Sequence, residues 1–333
     1  MNSPLIFITE SNRFSPRAVS QLSSAARVEL ADVHDRGDLL KNIGAADVLW
    51  VRLRNQIDRE VMDAAPRLRA IATPTTGLNH VDTGYAQSRG IEVISLRGET
   101  EFLRNIHATG EHTLALILAL VRHVPSAARH VTDGGWDRDV FRGRELHGKT
   151  AGIVGFGRVG GMVADYLRAF GMRILVTDPI LRDAPGREVE MTSLEDLLQQ
   201  ADLVTLHVSL TEQTRGFFGH REFSLMKNDA WFINTSRGEL IEEAALFNAL
   251  ESGKIAGAAL DVLCDEHSSG MQDHPLVAYA RTRENLLITP HIGGCTLESM
   301  EQTEEFLAGK VVCFLESSAE HASAGTSQRK DHA

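Results

Sequence analysis

The chain has 333 residues, 43% hydrophobic and 24% charged, with a formal net charge of −11. That length supports two domains with separate cores, and the composition is ordinary for a globular protein. The acidic balance argues against a general nucleic-acid partner. Three scattered cysteines, Cys264, Cys295 and Cys313, form no CxxC pair; they fit a reducing compartment and disfavour a zinc site or a disulfide framework. The N-terminal run Leu5-Ile6-Phe7-Ile8 is too short for a signal segment. The longest apolar run, "TLALILALV" at 113–121, is half a membrane span, so a cytoplasmic location without a membrane partner is expected. Fourteen histidines show no HExxH or comparable spacing, so no metal is expected.

In chain order, "LIFIT", "VLWVR", "LRAIATP" and "IEVISL" read as strands separated by helical segments, the pattern of a parallel α/β unit. From 105 to about 124 the sequence predicts a helix apolar on nearly every side, hence buried between layers. The segment "DGGWDRDVFRGRELHG" (133–148) is charged and Gly-rich yet carries Trp136 and Phe141. It reads as a solvated loop or as an arm inserting its aromatics into a second subunit; the arm is favoured, because large aromatics in a polar stretch need cover. After Lys149 a second series begins: "TAGIVGFG", "RILVTD", "LVTLHV", "AWFINTS", "AGAALDV" and "NLLITP". From Ser317 onward the small, polar tail is predicted to be disordered.

The second series opens on Gly155-Phe156-Gly157-Arg158-Val159-Gly160, a GxGxxG between a strand and a helix. The first glycine permits a tight turn and the second lets backbone amides approach a pyrophosphate. The third lets helix and strand pack closely, with the helix N-terminus facing the phosphates. Asp178 ends the next strand 18 residues after Gly160, near the ~20 expected of a ribose-binding acid. A carboxylate there accepts from ribose hydroxyls and repels a 2′-phosphate. NAD is therefore favoured over NADP, with Arg182 nearby as a counter-indication.

Three stretches follow at later strand ends, where open parallel sheets bind ligands. They are "INTSRGELI" with Arg237, "GAALDVLCDE" with Asp261 and Glu266, and "TPHIGG" with His291. The proline holds Thr289 extended and puts His291 at the end of a strand. Separately, each is readable as a surface charge, a loop acid and a capped loop histidine. Together they supply what carbonyl reduction by hydride transfer needs: a cation to hold a carboxylate and polarise a carbonyl, a proton donor, and an anion that keeps the donor charged.

In the order GxGxxG, Asp178, "NTSRG", "LDV…E", "PHIGG", the sequence resembles the D-isomer-specific 2-hydroxyacid dehydrogenase family from about 48 to 314. The feel is nearest to a 3-phosphoglycerate dehydrogenase without a regulatory domain. The resemblance implies Arg237, Glu266 and His291 as the catalytic trio. It also implies cofactor contacts from Gly155, Gly157, Arg158, Val159, Gly160, Asp178, Thr235, Ser236, Asp261, Gly293 and Gly294. Two Rossmann-like or flavodoxin-like parallel-sheet α/β domains with an interdomain active-site cleft are implied. Residues 1–104 plus 292–316 would form the substrate domain and 105–291 the NAD-binding domain, with a dimerisation arm at about 125–150 and a tail at 317–333. A homodimer is expected. Two departures stand out: His267 follows Glu266 where proline is common, and Cys295, read as a small buried filler, stands beside the histidine motif.

"TTGLNHVD" (75–82) resembles the family loop whose amides hold the substrate carboxylate, nominating Thr76, Gly77, Leu78 and Asn79. In "VRLRN", Arg52 and Arg54 are two apart at a strand end, which predicts that both face one way. Such a pair suits a phosphate or phosphonate, as in the phosphoglycerate dehydrogenases; a solvated edge is the other reading. The chain ends soon after the returning helix, so control through an appended serine-binding domain is not expected. The expected activity is NAD-dependent interconversion of a 2-keto acid and a D-(R)-2-hydroxy acid. Two alternatives stay open: a phosphite- or formate-type oxyanion dehydrogenase, and an NADH-sensing corepressor-like binding protein.

Overall fold

The computed structural model describes residues 3–181, 188–266 and 270–327, with side chains to Ser318. The chain divides into two compact units, Met1–Leu103 with Leu297–Ala333, and Arg104–Thr296.

The first unit holds five strands: β1 (Leu5–Ile8), β2 (Arg27–Leu30), β3 (Val48–Trp50), β4 (Ala70–Ala72) and β5 (Glu92–Ile94). They pair in parallel in the order β2-β1-β3-β4-β5, a flavodoxin-like arrangement. Alternation divides their side chains between two cores. Phe7, Leu49 and Ile71 enter one; Ile6, Ile8, Val48, Trp50, Ala70 and Ala72 enter the other. Short polar side chains start the helices: Ser15, Asp35, Asp58 and Asp82 each accept an N–H of the first turn, satisfying amides that have no helical partner. Strand β2 lacks a sequence signal because it is an edge strand, Arg-Val-Glu-Leu, with no buried residue.

The first unit departs from the sequence expectations in two ways. First, β3 stops at Trp50, so Arg52 and Arg54 follow the strand and the alternation rule does not govern them. Second, the final helix runs from Leu297 through Ser327, past the point where disorder was expected. Ala319, Glu320 and Ala322 favour helix, and no proline interrupts the run. Residues 328–333 of that tail lie outside the described residues. Leu307, Ala308, Val311 and Leu315 dock the helix on the second core.

The second unit holds β6 (Thr150–Val154), β7 (Arg173–Thr177), β8 (Glu190–Met191), β9 (Leu203–Leu206), β10 (Trp231–Asn234), β11 (Gly257–Leu260) and β12 (Leu286–Ile288). Every pairing is parallel and the order is β12-β11-β10-β9-β6-β7-β8. The chain winds one way from β6 to β8, then returns to place β9 on the other side of β6. That reversal is the switch point of a Rossmann sheet. Ile153, Ile174, Val176, Ile233 and Ala259 pack beneath the helix Ala108–Val121. Val154, Leu175, Val204, Phe232 and Leu260 fill the opposite core.

The expected apolar helix is therefore present, but His123, left-handed at φ 53°, breaks it and a second helix runs from Val124 to Thr132. Among the described residues, no single helix is long and apolar enough to cross a membrane.

Candidate active site

The C-terminal ends of the parallel strands in the second unit carry the predicted chemistry on one edge. At the end of β6, Gly155 has φ +90°, and a Cβ there would stand 2.6 Å from the His207 carbonyl oxygen. A Cβ on Gly160 would stand 2.1 Å from the Gly155 oxygen, so only glycine lets the helix Arg158–Ala169 begin so close to the strand. Around a Cβ on Gly157 there would be open space, leaving the face above the turn clear. This geometry fits a pyrophosphate at a helix N-terminus. Arg158 opens that helix and donates from Nη1 to the Ile106 oxygen at 2.7 Å; burial pushes its pKa down. Val159 packs on the core below.

Asp178 braces the turn from the end of β7. Its Oδ2 accepts the Phe156 N–H at 2.8 Å, and its Oδ1 accepts those of Ile180 and Leu181 at 2.9 and 3.1 Å. Burial raises its pKa, but the three N–H bonds outweigh burial and hold the carboxyl below its ordinary value. A fixed anion therefore stands where a ribose-binding acid is required. Arg182 lies outside the described residues. After β10, Thr235 shares a 2.8 Å hydroxyl bond with Thr113, and Ser236 donates to the Leu206 oxygen at 2.8 Å.

Arg237 follows in the same turn. Burial lowers its pKa while Glu266 and Glu239 act in the opposite direction, so a half-buried guanidinium stands in the field of the predicted acid. The next residue explains the proximity: a Cβ on Gly238 would meet the Leu263 carbonyl carbon at 2.1 Å and the Cys264 nitrogen at 2.3 Å. Only glycine brings the Arg237 turn against the turn that carries Glu266. That second turn is held from behind, where Glu243 accepts the Cys264 N–H at 2.8 Å and lies 3.0 Å from His274 Nε2. Burial, then the nearby acids Glu243, Glu239 and Asp265, push the Cys264 thiol up to about 12, which leaves it inert.

Glu266 Oε1 lies 2.5 Å from His291 Nδ1. The chain is left-handed on both sides of the bond, at Asp265 (φ 51°) and at His291 (φ 53°). Non-glycine residues adopt that region at a cost and tend to cluster at functional sites. Asp261 secures the His291 turn. Its carboxylate, in a residue only 1% exposed, accepts Thr289 Oγ1, the Ile292 N–H and the Gly293 N–H at 2.6, 2.9 and 2.7 Å. Expected to contact the cofactor, this acid is engaged with its own loop. Gly293 is buried against it, whereas a Cβ on Gly294 would meet nothing. His267 lies outside the described residues. Cys295 is exposed, not a buried filler, because the turn lifts it to the surface.

The first unit holds the nominated substrate residues. Residues 76–79 form an irregular loop after β4, steadied by Thr75 Oγ1 donating to the Gly77 oxygen at 2.8 Å. Among the described residues, the amides of Thr76, Gly77 and Leu78 have no acceptor, and Asn79 is exposed.

Arg52 and Arg54 point to different partners. Arg52 forms an ion pair with buried Glu304 on the final helix and donates to the Asn12 oxygen at 3.1 Å. Arg54 donates to Asp32 at 2.7 Å and to the Val33 oxygen at 3.2 Å. Their backbone N–H groups both bind Glu10, at 3.0 Å each, so the loop wraps a carboxylate and the guanidiniums diverge. The paired-guanidinium pocket expected from the sequence is absent from this arrangement.

Sequence reasoning missed three residues that shape the site. His207 backs the glycine turn, Glu243 backs the Glu266 turn, and His112 stands behind Asp261. Each acts across a long sequence separation and belongs to no motif.

Residues 114–293 match the D-isomer specific 2-hydroxyacid dehydrogenase, NAD binding domain. A D-3-phosphoglycerate dehydrogenase of Mycobacterium bovis is 34% identical over 313 residues, covering 93% of this chain and 57% of that one; the chain thus spans little more than half of that relative. A glyoxylate reductase of Thermofilum pendens is 35% identical over 327 residues, covering 95% of this chain and 92% of that one. The crystal structure of an Aquifex aeolicus D-lactate dehydrogenase complexed with NAD and lactic acid superposes with a TM-score of 0.81 at 28% identity, covering 96% and 98%. With its domain match, its full-length relative and its glycine turn, acid and histidine motifs in order, the chain belongs to the D-isomer specific 2-hydroxyacid dehydrogenase family.

Proposed function

We propose that this protein interconverts a 2-keto acid and the corresponding D-(R)-2-hydroxy acid with NAD. The observation that carries the reading is the 2.5 Å bond between His291 Nδ1 and Glu266 within the field of the half-buried Arg237. When bound, NADH supplies the hydride to the carbonyl carbon. Arg237 holds the substrate carboxylate and draws charge onto the carbonyl oxygen. With Nδ1 committed to Glu266, His291 presents Nε2 to that oxygen and delivers the proton. Glu266 orients the ring through that bond.

A phosphorylated substrate is the second reading, supported by the phosphoglycerate dehydrogenase relatives. The ion pairs that occupy both guanidiniums favour an unphosphorylated acid such as glyoxylate or pyruvate. We also propose a homodimer built on the arm, supported by Trp136, which is 89% exposed. The free cysteines support a cytoplasmic setting. The test is NADH consumption by purified protein with glyoxylate, pyruvate, hydroxypyruvate and 3-phosphohydroxypyruvate. Turnover of at least one is expected. Tight NADH binding with no turnover of any would favour the sensor reading instead.

A further inference from the structure

We propose that His112 is a positioning residue for the turn that carries His291. The inference concerns the geometry of that turn; its catalytic consequence rests on the function proposed above. His112 lies in the first turns of the helix Ala108–Val121, far in sequence from the strand-end motifs. Its Nε2 is 3.1 Å from Asp261 Oδ1 and 3.0 Å from Thr289 Oγ1.

Thr289 has one hydroxyl hydrogen, and the 2.6 Å contact to Asp261 Oδ1 uses it. Neither the threonine oxygen nor the carboxylate then offers a hydrogen to His112, so Nε2 must carry one and donate. Asp261 thereby gathers donors from three directions: the helix through His112, the end of β12 through Thr289, and the turn through Ile292 and Gly293. The backbone is tied at the same point, with the His291 N–H reaching the Asp261 oxygen at 2.8 Å. A Cβ on Gly293 would lie 2.9 Å from Asp261 Oδ2 and 3.7 Å from His112 Cδ2, so ring, carboxylate and turn are in close packing.

A buried carboxylate that loses a donor must find another or move. Without His112, Asp261 gains the freedom to turn, and the amides of Ile292 and Gly293 lose a fixed acceptor. The left-handed His291 immediately before them then loses the restraint that aims its ring. Displacement of a proton donor by about 1 Å can cost on the order of 10²-fold in rate.

Two variants test this. H112A removes the donor; H112Q keeps an N–H close to the position of Nε2. Hydrogen exchange at Ile292 and Gly293 should be roughly 10-fold faster or more in H112A, by loss of a buried bond, and near wild type in H112Q. In steady-state assays kcat should fall about 10- to 100-fold in H112A, with little change in Tm or in the KM for NADH, and H112Q should recover most of it. Unchanged exchange in H112A would overturn the proposal. So would equal losses in both variants, or faster exchange spread evenly over the whole unit. If wild-type protein turns over no keto acid while exchange responds as expected, the functional reading fails and the positioning role stands.

Discussion

A half-buried imidazole without a counter-charge is a liability in acid. His207 lies behind the glycine turn, with Nε2 3.0 Å from Thr205 Oγ1 and Nδ1 without a partner among the described residues. Burial pushes its pKa down to about 3. The unfolded chain binds a proton near pH 6.5 and the folded chain does not until near pH 3, so stability is full above 6.5 and declines as pH falls through that window. At pH 5 the loss is about 2 kcal/mol for one such group. Replacing His207 by Gln, which retains a donor towards Thr205, should therefore narrow the drop in melting temperature between pH 7 and pH 5. An identical drop in both proteins would mean that His207 titrates normally. Arg54 permits a second test at this scale. Its pair with Asp32 is half exposed and such pairs contribute little, ~0–1 kcal/mol. R54A should leave the KM for glyoxylate and for 3-phosphohydroxypyruvate changed by similar, small factors. A selective rise for the phosphorylated acid, by roughly tenfold or more, would show that the arginine leaves Asp32 to bind phosphate.

At the scale of elements, the site depends on turns that meet only because one residue has no side chain. Gly238 lets the Arg237 turn touch the Glu266 turn. G238A should push them apart, costing about 1–3 kcal/mol of stability through overpacking and a larger share of kcat than of NADH affinity. Thermal melting with steady-state kinetics checks this, and wild-type kcat would refute it. Elements also mark what was legible in the sequence. The strands of the second unit were readable because buried parallel strands are continuous apolar runs, and β6, β7, β11 and β12 are closed by Gly155, Asp178, Asp261 and Pro290. Polar β2 and two-residue β8 carry no such signal. Arg52 and Arg54 were misread because strand alternation was extended past Trp50 into a loop wrapped around Glu10. Arg237, Glu266 and His291 stand in motifs that the sequence shows, whereas His112 and Glu243 reach those turns from helices whose sequences carry no motif.

For the whole molecule, the two sheets follow the 2-1-3-4-5 and extended 3-2-1-4-5-6 orders, so each unit can fold around its own pair of cores. The arm offers the clearest handle on assembly. Phe141 rests on the His130 ring, 5.3 Å between centroids, while Trp136 lacks comparable cover. If a second copy supplies that cover, W136A should weaken self-association by about tenfold or more, since a buried interfacial aromatic commonly contributes at least 2 kcal/mol. Sedimentation velocity over a concentration series would show it, and an unchanged association constant would remove the arm from the interface. The central claim is that His291 delivers a proton and does not merely complete a turn. Its most direct test compares wild type with H291A for NADH-dependent reduction of the best keto acid, alongside NADH titration by fluorescence. The account predicts kcat lower by about 10²–10⁴-fold with the NADH dissociation constant within about twofold. Retained turnover, or NADH binding lost in step with activity, would contradict it.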